Sequence, residues 1–538
     1  MKFKYEIPFQ KDKNFKYRLF EILPGFLSWT ILALPFILAF TNVGLAAIIM
    51  IGYLLLWFVK AVALNLRALQ GYKILAQHQK LDWQEMIVDL DQEDIEGKRF
   101  PKWHYANKKR QADNPNGIYS ENVVHAVIVA TYNEARETLK PTLDNVKNSL
   151  YDTKKMIVLL AYEERGGPEV EEQAKQLMSE YEDVFMVSEA IKHPADIEGE
   201  VIGKGGNITY AGRELQKIVE KKGIDPGNVL VTTLDADNRP HKSYFAGLTY
   251  VYAVCHDPKY MSFQPIPMFT NNIWDAPAPM RVIATGNSYW MLIQGLRQHM
   301  LRNFSAHAQP LHALIETDFW STRTIVEDGH QFWRSYFEFD GKHEVIPIFL
   351  PIYQDAVLAD GYRKTLKAQF IQLRRWAWGA SDIAYVAKYG FFTKNNIPKF
   401  DVFAKFFRLL EGHISWATSP LILLFGAIIP WIFNQSDFLA NQLPQIASNL
   451  QTLAMVGIFV SLFFSFKILP PKPARYKRHR TIFMVLQWVL LPITTICYSS
   501  FAALNSQTRL MFKRYLGKFD VTEKAVKKDS GETVTSHR

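Results

Sequence analysis

Four short groups of residues, in one order along the chain, could together do chemistry on a phosphorylated substrate. They are Lys204-Gly205-Gly206-Asn207, Asp235-Ala236-Asp237, Glu327-Asp328 and Gln372-Leu373-Arg374-Arg375-Trp376. Two carboxylates one residue apart can share a divalent cation and the diphosphate bound to it, because Mg²⁺ takes one or two protein carboxylates and completes its shell with phosphate and water. Such a cation neutralises charge that builds on a departing diphosphate. A lysine with two glycines before a helix suits an anion: the glycines let backbone approach a phosphate, and the helix N-terminus favours negative charge. A carboxylate pair beside a glycine turn, as in Glu327-Asp328-Gly329, can hold one member as a general base. Gln372, Arg375 and Trp376 stand at i, i+3 and i+4 and share one face of a helix. On that face an arginine can clamp a pyrophosphate bidentately, and a tryptophan offers an apolar plate to a sugar ring.

Each group alone has an ordinary reading: a solvated turn for Asp-x-Asp, a capped helix start for the glycines, a helix N-cap for Glu327-Asp328, an amphipathic edge for Arg375-Trp376. Their surroundings set them apart. Val229–Leu234 (VLVTTL) is a continuous apolar run that ends directly on Asp235, and Val123–Ala130 and Met156–Ala161 are runs of the same kind. Near-continuous apolar strands alternating with helical stretches predict an α/β domain with a mostly parallel sheet. Ligands in such sheets bind beyond the carboxyl ends of the strands, where Asn133, Glu163 and Asp235 fall. A helix is expected from Thr131-Tyr132-Asn133-Glu134 through Val146, another over Ile208–Val219, and a third over Lys364–Ser381.

Apolar runs flank this stretch. Gly25 to Val59 has no charged residue; at 1.5 Å per residue it extends about 52 Å, beyond a hydrocarbon core of about 30 Å. Two spans are expected, near 19–41 and 43–66, with Thr41-Asn42 as the turn. The mixed Phe and basic stretch Phe400–Leu410 suits a helix lying in the membrane interface or an amphipathic core helix. Apolar runs follow at 414–433, 451–466 and 481–503, with Pro492 inside the last, which suggests a broken or re-entrant helix. The 434–450 loop lacks Lys and Arg, whereas 467–480 is rich in them, so the second is expected on the cytoplasmic side. The expected organisation is therefore 1–68 (basic segment and two spans), 69–390 (catalytic domain), 391–412 (interfacial helix), 413–505 (further spans) and 506–538 (basic tail).

The 538 residues carry a net charge of +10 and are 48% hydrophobic. In a chain with apolar spans, that basic balance reflects cytoplasmic-side Lys and Arg, and no basic motif with interleaved aromatics points to nucleic acid. Cys255 and Cys497 are too far apart in character for a disulfide or a thiolate metal site. His307 and His312 lack ligand spacing and read as structural or acceptor-side residues.

The order and spacing of the four groups resemble those of membrane-bound processive members of glycosyltransferase family two, which include cellulose, chitin and hyaluronan synthases. The resemblance covers residues 120 to 380, and the flanking helices in arrangement only. It implies a GT-A type nucleotide-sugar-binding domain, α/β with a mixed, mostly parallel sheet, flanked by transmembrane α-helices. It implies that Thr131, Tyr132 and Asn133 form the first nucleotide-contact loop and that Lys204, with Asn207 on the donor side, approaches the diphosphate. Asp235 and Asp237 would hold Mg²⁺ or Mn²⁺, with Asp237 favoured as ligand. Asp328 would be the general base, with Glu327 beside it, and Gln372, Arg375 and Trp376 would lie near the diphosphate and the acceptor end.

This sequence departs from the family pattern in three places. Glu163 stands near the end of the second strand where an aspartate is usual, the triplet is Val326-Glu327-Asp328, and Phe304-Ser305-Ala306-His307 lacks the Cys-Gly pattern of the polymer synthases. Phe519-Asp520-Val521-Thr522-Glu523-Lys524 is similar to short Thr-x-Lys segments that close some relatives. The implied activity is inverting transfer of a hexose or N-acetylhexosamine from a nucleoside diphosphate sugar, UDP-sugar before GDP-sugar, to a growing polysaccharide. One alternative is single transfer to a lipid carrier or glycolipid; another is a non-enzymatic nucleotide-binding membrane protein. Expected partners are a saccharide or lipid-linked acceptor, the lipid bilayer of the cell membrane with the catalytic domain cytoplasmic, and room for an accessory subunit.

Overall fold

A computed structural model of the chain describes residues 3–92, 99–114, 117–477, 479–517, 525–527 and 533–535. The Thr-x-Lys stretch at 519–524 lies outside them. The centre of the protein is an eight-stranded sheet in the order β3-β2-β1-β4-β7-β6-β8-β5. Its strands are β1 (Val124–Thr131), β2 (Met156–Glu163), β3 (Val187–His193), β4 (Val229–Asp235), β5 (Arg239–Pro240), β6 (Ser262–Phe269), β7 (Ala308–Pro310) and β8 (Val345–Gln354).

The apolar runs become β1, β2 and β4. They are buried on both faces, one face packing Val127, Val129, Val158 and Leu160, the other Ala126, Ile128, Ile157 and Leu159. Burial on both faces is why they read as continuous rather than alternating. β2, β1 and β4 run parallel, with Thr131 opposite Tyr162 and Ala130 opposite Asp235. Their carboxyl ends therefore finish along one line. β3 extends this parallel half. β7 joins antiparallel to β4 and β6, and β8 runs parallel to β6 with a register shift between Pro265 and Ile266. The sheet is mixed and mostly parallel, as expected.

Among the described residues three helices are long and apolar enough to cross a membrane: Phe15–Thr41, Val43–His78 and Arg480–Met511. Asn42 separates the first two and caps the second by accepting from Leu45 N at 2.9 Å. The second helix runs past the expected 66 to His78, because Ala68 and Leu75 pack on the Ala278–Gly295 helix and β6. The Phe400–Leu410 stretch is the first half of one unbroken helix, Lys399–Phe425, with Val402 and Phe406 turned to the domain and Phe400, Phe403 and Phe407 exposed. The segment expected as a 434–450 loop is largely helical, Phe438–Ala454. Leu443 and Ala447, four residues apart, pack it on Ala47, Met50 and Leu54.

Arg480–Met511 is broken around Pro492 by 3-10 and π-helical turns. It leaves the domain where Arg480 donates to Trp274 O at 2.9 Å. Midway, Ser499 Oγ accepts from Trp416 Nε1 at 2.7 Å. It returns to the start of the first helix, where Leu510 O and Met511 O accept from Arg18 at 3.1 and 2.8 Å. Both its ends thus lie on the side of the α/β domain, whereas Asn434 meets Ala39 O at the far end of the first helix, 2.8 Å away.

Candidate active site

β4 delivers Asp235 to the line of strand ends. Its Oδ1 accepts from Lys204 Nζ at 2.7 Å, and Ser305 Oγ donates to its Oδ2. Lys204 Nζ also donates to Ser305 O at 3.1 Å. Lys204 is the first residue of the Lys204–Lys221 helix, so the Lys-Gly-Gly-Asn group forms the first helical turn rather than a loop before it. The glycines serve close packing. A Cβ at Gly205 would stand 2.5 Å from Ser321 O, and one at Gly206 would stand 2.6 Å from Glu200 Oε2. Asn207 is buried, and its Nδ2 donates to Thr131 O at 3.2 Å and Ala161 O at 2.9 Å. It ties the ends of β1 and β2 together, while its Oδ1 is buried.

Thr131, Tyr132 and Asn133 turn out of β1 around a carboxylate that sequence reasoning missed. Glu134 Oε2 accepts from Thr131 Oγ1 and from Tyr132 N, each at 2.8 Å. Glu163, at the end of β2, is buried and faces inward: His193 Nδ1 lies 3.1 Å from its Oε2, and His193 Nε2 lies 3.0 Å from Glu200 Oε2. Burial works against the imidazolium, but the two carboxylates prevail and His193 is raised to about 9. Glu163 therefore carries an internal charge partner that its sequence position did not reveal.

Asp237 is buried beside the end of β8, where its Oδ2 accepts from Asp355 N at 3.0 Å and its carbonyl from Asn271 Nδ2 at 2.9 Å. Among the described residues no three His, Cys, Asp or Glu side chains gather as a self-sufficient metal site. Asp235 and Asp237 are two carboxylates of one turn, Asp235 partly exposed, the number suited to an ion that would draw its remaining ligands from a diphosphate and water. The residues fit Mg²⁺ or Mn²⁺ in that role.

Glu327 and Asp328 open the Glu327–Glu338 helix. The missing Cβ of Gly205 would come 3.2 Å from Glu327 Cβ, so the two helix starts touch directly. Burial, reinforced by Asp328, pushes the Glu327 carboxyl up to about 7, with Lys204 and Arg375 opposing. Burial also raises Asp328, against the Gly329 N–H it accepts at 2.7 Å, Lys204 and Arg375. Burial pulls the Lys204 ammonium down, but Asp235, Glu327 and Asp328 more than offset it. Arg375 thus sits close enough for its charge to bear on both carboxyls.

Arg375 comes from the Tyr362–Ala377 helix, whose Leu373 and Ala377 are buried. Ala377 packs with Ala417, Ala503 and Leu504. Gln372 accepts from Gln369 Nε2 at 3.1 Å, and the Trp376 ring lies 6.2 Å from that of Phe269 at the end of β6. Lys204, Asp235, Glu327, Asp328 and Arg375 are thereby brought into one charged group. Ser305 joins it from the Phe304–His307 stretch. His307 accepts from Trp320 Nε1 at 3.1 Å, and burial lowers it to about 4, which makes it a neutral structural residue. His312 pairs with Glu316 on the surface.

No known protein family and no curated protein matches the sequence. Solved structures with a similar overall shape include the mannosyltransferase PcManGT from Pyrobaculum calidifontis in complex with GDP-Man and Mn²⁺, at 13% identity and a TM-score of 0.41, over 84% of this chain and 100% of that one. A TarS fragment from S. aureus in complex with UDP-GlcNAc matches at 11% identity and a TM-score of 0.36, over 76% of this chain and 96% of that one. GalNAc-T7 with UDP, GalNAc and Mn²⁺ matches at 11% identity and a TM-score of 0.33, over 55% and 59% of the two chains. Likeness of this depth assigns no activity, and the functional reading stands on the residues themselves.

Proposed function

We propose that the protein is a membrane-bound inverting glycosyltransferase of the GT-A type. It moves a hexose or N-acetylhexosamine from a nucleoside diphosphate sugar to a growing saccharide at the cell membrane, with its catalytic domain on the cytoplasmic side. One observation carries the reading. Residues of four groups spread over the interval from Lys204 to Trp376 gather at the carboxyl edge of three parallel strands, with Lys204 bonded to Asp235 and the charges of Lys204 and Arg375 bearing on Glu327 and Asp328. A non-enzymatic nucleotide-binding protein has no use for a carboxylate pair, Glu327 buried and Asp328 half-buried, whose proton affinity is raised; a general base does.

Asp328 takes the proton of the acceptor hydroxyl. The freed oxygen bonds to the anomeric carbon opposite the diphosphate, and the carbon–oxygen bond to the diphosphate breaks with its electron pair leaving on the diphosphate. Asp328 is the base rather than Glu327, because Glu327 is buried against the Gly205 turn while Asp328 is partly open. Lys204 and Arg375 stabilise the charge on the leaving group. Asp237 and Asp235 would hold a divalent cation, which supplies further neutralisation of the diphosphate when bound. The Thr131–Asn133 turn contacts the nucleotide, and Gln372 and Trp376 frame the sugar and acceptor. Asn207 acts by holding the ends of β1 and β2 rather than by touching the donor.

The lipid-carrier alternative draws on one feature: Arg480–Met511 comes back to the domain side, which leaves little helical material to line a channel. The test offers the full chain in lipid, with Mg²⁺ or Mn²⁺, a panel of UDP- and GDP-sugars, and scores diphosphate release and product size. Release from one donor supports the reading; a long product indicates a polymer and a single-sugar lipid a carrier. No release from any donor, with crude membrane extract added as acceptor source, contradicts it.

A further inference from the structure

Residues 3–9, ahead of the Phe15–Thr41 helix, do not trail into solvent. Tyr5 packs into a core cluster with Phe337, Tyr385 and Tyr389. Its carbonyl accepts from Tyr385 Oη at 2.6 Å, and that of Glu6 from Tyr389 Oη at 2.7 Å. The carbonyl of Ile7 accepts from Arg323 at 2.7 Å, whose guanidinium lies 3.8 Å from the centre of the Phe9 ring. The Arg334 guanidinium lies 4.2 Å from the centre of the Phe3 ring.

Glu6 is the centre of this strap. Its Oε1 accepts from Ser321 Oγ at 2.7 Å and from Ile7 N at 2.8 Å, and its Oε2 accepts from Arg334 Nη1. Arg334 is fully buried on the Glu327–Glu338 helix, and among the described residues Glu6 is the carboxylate paired with it. The buried side of that helix sets polar groups beside the aromatic Phe332, Trp333, Tyr336 and Phe337. His330 pairs with Asp382 at 2.7 Å, Gln331 donates to Thr317 Oγ1 at 3.2 Å, Arg334 donates to Thr317 O at 2.6 Å, and Ser335 accepts from Gln309 at 3.0 Å. Such a network is costly if any member is left unpaired and specifies one arrangement when complete. Glu6 neutralises its one guanidinium.

The loop that Glu6 grips also supports the site. Ser321 O is the atom that a Cβ on Gly205 would meet, and Thr322 O accepts from Val201 N at 2.8 Å. Five residues later the same chain reaches Glu327 and Asp328. We propose that the strap Phe3–Phe9 is a working part of the catalytic domain, with Glu6 as a positioning residue that fixes, through Ser321 and Arg334, the helix start bearing Glu327 and Asp328. The carboxylate-placing role rests on the transferase reading above; the mechanical coupling does not. Because the strap leads straight into the Phe15–Thr41 helix, it also links the membrane anchor to the carboxylate pair. A half-buried carboxylate bonded to a fully buried guanidinium is the right group for this, since removing it leaves the arginine uncompensated.

The experiment uses the full chain in lipid nanodiscs and compares wild type with Glu6→Gln, Glu6→Ala and Ser321→Ala. Amide hydrogen exchange is followed over 319–338, with β1 and β2 as internal references, and donor turnover is measured beside it. The expected result is faster exchange over 321–330 in Glu6→Ala with unchanged β1 and β2, and a kcat lowered by about tenfold or more with little change in donor KM, since a small displacement of a reacting group is enough for that. Glu6→Gln, which keeps the Ser321 bond but loses the charge, falls between. Should Glu6→Ala not fold, Glu6→Gln and Ser321→Ala give the same readings. Unchanged exchange over 321–330 in folded variants overturns the coupling, and altered exchange with kcat within twofold of wild type overturns the positioning role. If wild type turns over no donor, the transferase reading fails, while the exchange data still decide whether the strap holds the helix start.

Discussion

Lys204 Nζ lies 2.7 Å from Asp235 Oδ1, joining the first turn of one helix to the last residue of the central strand. The pair holds a largely buried ammonium at the strand end. Replacing Lys204 with methionine keeps the bulk and removes the charge. Nucleoside diphosphate affinity, read by calorimetry, should fall about tenfold or more, the scale of one charge-assisted contact. An unchanged affinity would remove Lys204 from the donor site.

The two helix starts touch through a missing side chain. A Cβ on Gly205 would stand 2.5 Å from Ser321 O and 3.2 Å from Glu327 Cβ. Gly205→Ala is therefore expected to displace the carboxylate pair and lower the melting temperature, by an overpacking cost of about 1–3 kcal/mol. Gly223→Ala is a poor control because its φ is +67°; Gly286→Ala, with open space at its Cβ, is the right one.

Asn207 bonds two strand-end carbonyls at 3.2 and 2.9 Å. Asn207→Leu leaves both without that partner and should cost about 1–3 kcal/mol in chemical unfolding. Loss of donor affinity without loss of stability would instead assign Asn207 to the ligand.

Two pH dependences of opposite origin are expected. Glu327 rises from 4.5 to about 7 in the fold, so the folded state holds its proton more tightly than the unfolded chain. Its contribution to stability is complete below 4.5 and lost as pH rises through 7. The melting-temperature gap between wild type and Glu327→Gln should move against wild type across that window. His193 rises from 6.5 to about 9, so its contribution is complete below 6.5 and lost as pH climbs through 9. His193→Leu, which leaves Glu163 and Glu200 facing one another, should be destabilised most at pH 6.5 and below, with the gap to wild type narrowing as pH climbs through 9. A flat difference across pH 6 to 10 would contradict the imidazolium assignment.

How far the chain could be read in advance depended on local pattern. β1, β2 and β4 were legible because burial on both faces leaves an uninterrupted apolar run. The antiparallel half was not: β6 (SFQPIPMF) and β8 (VIPIFLPIYQ) carry prolines that argue against central strands, and their pairing to one another is settled by tertiary contacts. The helix face of Gln372, Arg375 and Trp376 followed from spacing alone. Ser305 and Glu6 were hidden, because spacing says nothing about residues 70 and 315 positions from their partners Asp235 and Ser321. The 434–450 segment, without Lys or Arg and set between apolar runs, reads as a loop, although Leu443 and Ala447 stand at helical spacing.

In the proposed reaction Asp328 takes the acceptor proton, while donor binding depends on other groups. The direct measurement sets wild type beside Asp328→Asn, full chain in lipid with Mg²⁺ or Mn²⁺, and follows nucleoside diphosphate binding and diphosphate release from the active donor. The account predicts nucleotide affinity within about threefold and release lowered by about a hundredfold or more, the general-base contribution being about 10²–10⁴. Near-normal release from Asp328→Asn would contradict it.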